Sequence, residues 1–243
     1  MSEIQCCFRR YEKKYLLTTA QYEAMREGMA PYVRPDEYGR YSLGNVYYDT
    51  DDYRLIRSSL EKPVYKEKLR VRSYGVPGEH DRVFVELKKK YEGVVYKRRI
   101  VLEAGEAARF LSGAEERGDQ ISREIAYFLR FYRPVPKAYI AYDREAYAGR
   151  VDDALRITFD TGIRCRGDEL DLRAGDRGAA LLPPDTVLME IKIPGAAPLW
   201  LAQLLSGNGI FPTSFSKYGS CYQQFVLGGK AAGLTVKEVL SCA

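Results

Sequence analysis

Residues 82–103 read RVFVELKKKYEGVVYKRRIVLE, and this segment carries the strongest structural signal in the 243-residue chain. Apolar and charged residues alternate on both sides of the pair Glu92-Gly93. A period of two is typical of a β-strand with one apolar and one polar face, and a two-residue turn with glycine joins antiparallel neighbours. The segment therefore predicts a hairpin of strands 82–91 and 94–103. Its first strand would place Val83, Val85 and Leu87 on the apolar face and Arg82, Glu86, Lys88 and Lys90 on the charged face.

Strand and helix patterns alternate along the rest of the chain. The predicted strands cover residues 4–15, 40–49, 63–73, 82–91, 94–103, 137–147, 155–161 and 186–194. About eight strands suffice to close a barrel. Helices are predicted from a capping box at Thr18 and Gln21 through about Tyr32, and at residues 105–116, 120–131, 198–206 and 214–227. The predicted class is α+β: an antiparallel closed β-barrel with helices packed on its outside.

The composition describes a globular chain. Apolar residues make up 46% and charged residues 29%, and the 20 tyrosines favour strand structure. The net charge of +5 is too small for a histone-like binder of nucleic acid, and no nucleic-acid partner is predicted. Since no repeat, low-complexity tract or long linker interrupts the sequence, residues 1–243 are expected to form a single domain.

The cysteines and the hydropathy pattern indicate a location. Five cysteines occur without a CxxC pair, and no secretory signal pattern precedes them. A structural zinc site and a secreted disulfide framework are therefore poorly supported, and a cytoplasmic location is predicted. No window approaches the roughly 20 apolar residues of a membrane helix, so no membrane span is expected.

The polar faces of seven predicted strands are mostly cationic. Lys68, Arg70 and Arg72 share one face, and like charges about 7 Å apart repel by roughly 2–3 kcal/mol at an effective dielectric near 20. One such strand is better explained by exposure to water, but the whole set favours a lumen that holds a polyanion. The other side chains predicted on these faces are Arg10, Glu12, Lys14, Glu86, Lys88, Lys90, Lys97, Arg99, Tyr142, Arg144, Arg156, Glu190 and Lys192.

Three acids on these faces are candidate metal ligands. Hard cations such as Mg²⁺ and Mn²⁺ take oxygen ligands from carboxylates and phosphates together. Glu190 is the favoured ligand. For Glu12 and Glu86, an ordinary salt bridge to a neighbouring Lys or Arg explains the position equally well.

The charged strands, taken in order, resemble a known family. The matching pieces are Arg10–Tyr15, Val46–Thr50, Lys68–Arg72, Val85–Lys88, Val95–Arg99, Tyr142–Arg144, Arg156–Asp160, Met189–Lys192 and Phe215–Tyr218. They are similar to the triphosphate tunnel metalloenzymes of the CYTH-like superfamily. Within that superfamily they look like the VTC domain, the catalytic domain of polyphosphate polymerases. The resemblance spans nearly the whole chain.

This resemblance implies an activity and a set of roles. The expected reaction transfers the γ-phosphoryl group of ATP to a growing polyphosphate chain and releases ADP, with Mn²⁺ or Mg²⁺ as cofactor. Such a reaction needs in-line positioning and positive charge more than a protein nucleophile. The implied catalytic residues are Lys14, Arg70, Arg72, Lys88, Lys97, Arg144 and Lys217. The implied substrate-binding residues are Arg10, Lys68, Lys90, Arg99, Tyr142, Arg156 and Lys192, and the implied metal ligands are Glu190, Glu12 and Glu86.

One departure from the resemblance bears on the reaction. Hydrolytic members of the superfamily typically begin with Glu-x-Glu-x-Lys, whereas here Arg10 takes the first position and leaves Glu12 alone. Fewer carboxylates favour holding a phosphate chain over orienting a metal-bound water, and so favour a polymerase. Eukaryotic polymerases also carry a phosphate-sensing domain and membrane segments, which this sequence lacks. Any regulation or export is therefore expected from other chains, such as a membrane-associated partner protein.

Two alternatives stay open at this point. The first is a hydrolase of inorganic triphosphate or nucleoside triphosphates on the same scaffold, because a fold does not determine a reaction. The second is a module that binds polyphosphate without chemistry. One acidic run, Asp49–Asp52, is interpreted as structural, and one basic run, Lys88–Lys90, is divided between two faces of its strand. Asp49–Asp52 is typical of a turn and helix cap, and Lys89 is predicted on the face opposite Lys88 and Lys90.

Overall fold

The computed structural model describes residues 11–92, 94–115 and 117–228. Arg10, predicted to bind substrate, lies outside these residues. The strands are β1 (Tyr11–Thr18), β2 (Val33–Asp49), β3 (Tyr65–Tyr74), β4 (Arg82–Tyr91), β5 (Val94–Glu103), β6 (Val135–Gly149), β7 (Arg156–Arg166), β8 (Ala179–Ala180) and β9 (Thr186–Ile193). The α-helices are α1 (Thr19–Met29), α2 (Arg54–Leu60), α3 (Ala104–Leu111), α4 (Gln120–Tyr132), α5 (Leu199–Gly207) and α6 (Lys217–Cys221). A 3₁₀ turn (Leu172–Ala174) and a π-helix (Tyr222–Leu227) complete the elements of the described part.

Side-chain caps determine where several helices begin. The predicted capping box of α1 is confirmed: Gln21 N donates to Thr18 Oγ1 at 3.2 Å, and Thr18 N donates to Gln21 Oε1 at 3.1 Å. Before α2, the Asp49 carboxylate accepts from Leu55 N and Ile56 N at 2.9 and 3.0 Å. These bonds satisfy amides that have no partner within the helix. The structural interpretation of Asp49 is therefore correct.

The strands form one antiparallel sheet in the order β1-β9-β7-β6-β2-β3-β4-β5, with β8 beside β7. The predicted hairpin is confirmed, because Tyr91 pairs with Val94 and Arg82 with Glu103. Among the described residues, no backbone pairing joins the outermost strands β1 and β5. The α+β class and the antiparallel sheet are confirmed, whereas closure of the sheet into a barrel is not, because no strand pairing joins β1 to β5 in the described part of the chain.

Two compact units share the chain. The first unit contains Leu43–Ala141 and Arg164–Ala179, and the second contains Arg9–Ser42, Tyr142–Ile163 and Ala180–Ala243, each within its described residues. The core of the first unit includes Leu69, Val71, Val83, Val85, Leu87, Phe110, Ile125 and Phe128. The core of the second unit includes Leu17, Met25, Ile157, Phe159, Met189, Ile191 and Leu201. In both units the apolar strand faces pack against helices, as the alternation predicts.

Some elements differ from their predicted bounds. Strand β2 begins at Val33, seven residues before the predicted start at residue 40. The prediction started later because Pro35 and Gly39 are typical of a loop. The helix predicted over 214–227 is divided into α6 and the π-helix, and begins where the Ser216 side chain accepts from Gly219 N at 3.1 Å. No helix within the described residues is long and apolar enough to cross a membrane.

Candidate functional site

Three lysines stand side by side on the charged face of the first unit. Lys68 lies directly across from Lys88, and Lys88 lies across from Lys97. Directly opposite side chains in an antiparallel sheet have Cβ atoms about 5 Å apart, and like charges there are destabilising. We call Lys68, Lys88 and Lys97 the lysine row. Its arrangement on β3, β4 and β5 concentrates positive charge on one face of the sheet.

The next positions along the same strands form an arginine row of Arg70, Glu86 and Arg99. Arg70 donates through Nε and Nη2 to Glu86 Oε2 at 2.9 and 2.7 Å. Arg99 donates through Nε and Nη2 to Oε1 at 2.8 and 2.5 Å, and Lys97 Nζ is 2.7 Å from the same oxygen. Glu86 is only 2% exposed. One buried carboxylate thus holds three cations in place.

Burial and neighbouring charges shift two pKa values on this face. Burial on its own would raise the pKa of Glu86, but Arg70, Arg72, Lys97 and Arg99 hold it far below its usual value. Burial also lowers the pKa of Lys97 to about 8, although Glu86 acts in the opposite direction. Since an anion favours the charged form of an amine, phosphate binding would restore the charge of Lys97 at alkaline pH.

Two side chains of β2 orient the arginines. Arg72 Nε donates to Asn45 Oδ1 at 3.0 Å, and Asn45 Nδ2 donates to the carbonyl of Ile140 at 3.2 Å. Arg70 Nη1 donates to the hydroxyl of Tyr47 at 3.1 Å. Because Asn45 is completely buried and uses both ends of its amide, it holds Arg72 in one orientation. Neither Asn45 nor Tyr47 is among the site residues predicted from the sequence.

In the second unit, β1, β9 and β7 bring acids and cations together in two rows. Lys14 lies across from Glu190, which lies across from Thr158. One step along the strands, the second row contains Glu12, Lys192 and Arg156. The predicted faces of these three strands are therefore observed.

Asp160 and Glu190 differ in how tightly the cations hold them. Fully buried Asp160 accepts from Arg144 Nε and Nη2 at 2.6 and 2.7 Å and from Lys217 Nζ at 2.5 Å. The distances from Glu190 oxygens to its four cations are longer. They are 3.4 Å to Lys217, 3.6 Å to Lys14, 3.7 Å to Arg144 and 3.8 Å to Lys192. Asp160 is therefore held by short hydrogen bonds, whereas the cations around Glu190 lie at longer ion-pair distances.

Burial and neighbouring charges act in opposite directions on the pKa values of Glu190, Asp160 and Lys217. Burial would raise the pKa values of Glu190 and Asp160, but the neighbouring cations keep both pKa values below their usual range. Lys217 has the largest effect among these cations. Burial would likewise lower the pKa of Lys217, yet Asp160 and Glu190 raise it above its usual value. These two carboxylates and Lys217 therefore favour their charged forms at neutral pH.

Supporting contacts fix the cations of the second unit. The ring centroid of Tyr142 lies 4.3 Å from Lys217 Nζ and 5.2 Å from Arg144 Cζ, which are cation–π distances. Lys14 Nζ donates to the carbonyl of Phe215 at 2.9 Å and lies 3.8 Å from Glu12. The observed contacts of buried Tyr142 are thus with cations, while its predicted contact with substrate stays a prediction.

The second unit also contains an unsatisfied hydroxyl. Thr158 Oγ1 is buried and has no hydrogen-bond partner among the described residues. It belongs to the row of Glu190, so a hydroxyl oxygen accompanies the two carboxylates of Glu190 and Asp160. No group of three or more His, Cys, Asp or Glu side chains gathers within residues 11–92, 94–115 and 117–228. These donors fit a Mg²⁺ or Mn²⁺ ion that brings phosphate oxygens as further ligands.

The structure brings the predicted residues together in two groups. The first unit holds Lys68, Arg70, Arg72, Glu86, Lys88, Lys90, Lys97 and Arg99, and the second holds Glu12, Lys14, Tyr142, Arg144, Arg156, Glu190, Lys192 and Lys217. Lys89 points away from the first group, with Nζ 3.9 Å from both Glu67 and Glu124. Asp160 and Thr158 were missed as site residues. Their alternation with Phe159 on β7 was the available signal.

Comparison with solved structures shows the fold. A candidate adenylate cyclase from Bacillus halodurans has a TM-score of 0.54 and 14% identity, over 88% of this chain and 95% of that one. A candidate adenylyl cyclase from Hippeastrum, described as having a dominant triphosphatase activity, has a TM-score of 0.50 and 15% identity, over 93% of this chain and 98% of that one. No curated protein matches the chain. The model of the VTC domain matches residues 9–226, and the chain therefore belongs to the VTC domain family.

Proposed function

We propose that this protein is an ATP-dependent polyphosphate polymerase that transfers the γ-phosphoryl group of ATP to a growing polyphosphate chain and releases ADP. The observation that carries the proposal is the lysine row beside the arginine row on one strand face of the first unit. Membership of the VTC domain family supports it. ATP and polyphosphate are the proposed substrates, and the cytoplasmic location and a membrane-associated partner stay predictions of the sequence.

In the first unit the proposed task is to hold phosphates. Seven predicted cations share the face with Glu86, which forms ion pairs with Arg70, Lys97 and Arg99. The resulting excess of positive charge suits the dense negative charge of a triphosphate. Arginines fixed by Glu86, Asn45 and Tyr47 are already oriented before substrate arrives, so little reorganisation is needed on binding.

In the second unit the proposed task is to hold a divalent cation with its phosphates. Glu190 and the Thr158 hydroxyl would provide ligand oxygens, and the bound cation would neutralise charge on the phosphate oxygens. Lys217 and Arg144, held by Asp160, would contact oxygens of the phosphates that this cation binds. No protein nucleophile is required, because phosphoryl transfer depends mainly on positioning and charge.

A product assay tests this proposal directly. The purified chain is incubated with ATP and Mn²⁺ or Mg²⁺, and the phosphate chains are resolved on a gel while ADP and free phosphate are measured. We expect a ladder of chains with ADP released in step with the phosphate incorporated. ADP with free phosphate and no ladder would favour hydrolysis, and tight binding without turnover would favour a binding module.

Triphosphate hydrolysis is the second candidate function. The Hippeastrum protein of the same fold is described as having a dominant triphosphatase activity. Two buried carboxylates, Glu190 and Asp160, share one cluster here, and a hydrolase needs such groups to orient water. The small number of acids relative to cations makes the polymerase the preferred proposal.

We expect Arg72→Ala to weaken the binding of tripolyphosphate by about 1.5–3 kcal/mol, the range for charge-assisted hydrogen bonds. Arg72 is held by Asn45 on the charged face, so its removal deletes an oriented donor. Isothermal titration calorimetry would measure the change. Lys89→Ala removes a cation from the opposite face of the same sheet and should leave the affinity unchanged. Equal losses in the two variants would contradict the assignment of the faces.

A further inference from the structure

The charged face of the first unit changes character along its strands. Beyond the lysine row and the arginine row, Arg72 lies across from Phe84, and Phe84 lies across from Val101. Tyr74, the last residue of β3, packs edge-on against Phe84 with ring centroids 5.6 Å apart. We call Tyr74, Phe84 and Val101 the aromatic end. Phe84 and Val101 lie two residues along their strands from the arginine row, about 7 Å away, and Tyr74 lies four residues from Arg70, about 13 Å away.

The aromatic end is accessible to solvent. Tyr74 and Val101 are each 49% exposed, although they lie on the face that carries the cations. The guanidinium carbon of Arg99 lies 4.6 Å from the ring centroid of Phe84, so Arg99 connects the ring to Glu86. Isolated exposed apolar residues are ordinary, but exposed Tyr74 and Val101 on either side of partly exposed Phe84, beside Arg72 and Arg99, form a combined apolar and cationic surface.

The chemistry of this surface distinguishes two phosphate ligands. An inorganic polyphosphate chain has no apolar part and would use only the lysine and arginine rows. A nucleoside triphosphate carries a flat base and a ribose at one end of its phosphates. Bases stack on exposed aromatic rings and on arginine guanidinium groups. Only the second ligand is complementary to both parts of the face.

We infer that the aromatic end binds the nucleoside of a nucleoside triphosphate, with its phosphates directed past Arg72 and the arginine row towards the lysine row. This inference rests on the proposed function. It adds a direction to the phosphate path of the first unit: the base lies at the Tyr74 end, and the terminal phosphate lies towards Lys88. Because stacking accepts every base, purine and pyrimidine triphosphates should bind with similar affinity.

The test compares two ligands and three variants by calorimetry. ATP and tripolyphosphate are titrated in EDTA, so that metal-dependent turnover does not occur. Tyr74→Ala should weaken ATP binding about 10-fold, as expected for a lost stacking platform, and change tripolyphosphate binding less than about twofold. Tyr74→Phe should retain the affinity for ATP, since it keeps the ring. Tyr127→Ala, on α4, removes another exposed tyrosine of the first unit and should alter neither affinity.

The outcomes separate this inference from the proposed function. If Tyr74→Ala weakens both ligands equally, or leaves ATP binding unchanged, the nucleoside does not bind at the aromatic end. If either of these results is obtained while wild-type protein still binds tripolyphosphate, the proposed function stands and only the inference fails. If wild-type protein binds neither ligand, both fail.

Discussion

Glu190→Gln is expected to reduce turnover of ATP by at least about 100-fold, a loss typical when one preorganised electrostatic group is removed. Four cations surround Glu190 at 3.4–3.8 Å, so the neutral amide leaves their charge less balanced. The variant should therefore bind tripolyphosphate as tightly as the wild type or more tightly. Loss of turnover together with retained binding would separate a role in catalysis from a role in substrate capture.

Product formation with Mn²⁺ or Mg²⁺ measures the turnover of ATP, and calorimetry measures the binding of tripolyphosphate. Glu145→Gln is the matched control in the same unit, because Glu145 accepts hydrogen bonds from Tyr22 and Tyr147 and has no contact with the Glu190 cluster among the described residues. It should retain full turnover. If Glu190→Gln and Glu145→Gln had the same activity, the role of Glu190 as metal ligand would be wrong.

Glu86→Gln is expected to destabilise the protein by about 3 kcal/mol at pH 7, because it removes the charge of a buried carboxylate that forms ion pairs with three cations. The folded-state pKa of Glu86 lies far below its usual value of 4.5. Its contribution to stability is therefore fully present above about pH 4.5 and is lost as the pH falls towards the folded-state pKa. The difference between wild type and variant should shrink in acid.

Urea unfolding at pH 7 and at several values below pH 4.5 measures this effect. Glu61→Gln, at an exposed position of the same unit, is the control and should change stability little at any pH. A difference between wild type and Glu86→Gln that stayed constant down to the lowest pH would show that the carboxylate does not remain ionised among its cations.

The strand faces could be predicted from the sequence because alternation is a local property. Val83, Val85 and Leu87 have no exposed surface, and Glu86 with Lys88 points to the other side, as the pattern of residues 82–90 requires. The helix caps at Thr18 and Asp49 were predictable for the same reason, since each donor and acceptor lies within a few residues.

Contacts between distant segments could not be predicted in this way. Asp160 receives its partners from Arg144 and Lys217, which are 16 and 57 residues away. Nothing in the alternation of β7 identifies either partner. The same limit applies to Glu86, for which the sequence left two roles open: a metal ligand or a member of a salt bridge. The structure shows three ion pairs, and a role in metal binding stays a prediction.

Closure of the sheet lies beyond the sequence for a related reason. Which edge strands pair depends on twist and register summed over the whole sheet, whereas the pattern within one strand reports only its two faces. The number of long strands was therefore predictable, whereas the sequence did not indicate whether β1 and β5 pair with each other.

The lysine row has a consequence for how the protein behaves when it is isolated. Lys68, Lys88 and Lys97 repel one another in the empty protein, and any polyanion that binds the folded state but not the unfolded state raises the melting temperature by mass action. Nucleotides, nucleic acid fragments and phosphate chains of a cell extract would compete for this face. Two preparations of the same chain can therefore differ in stability when they contain different bound polyanions. Washing with salt removes these polyanions, and with them the difference.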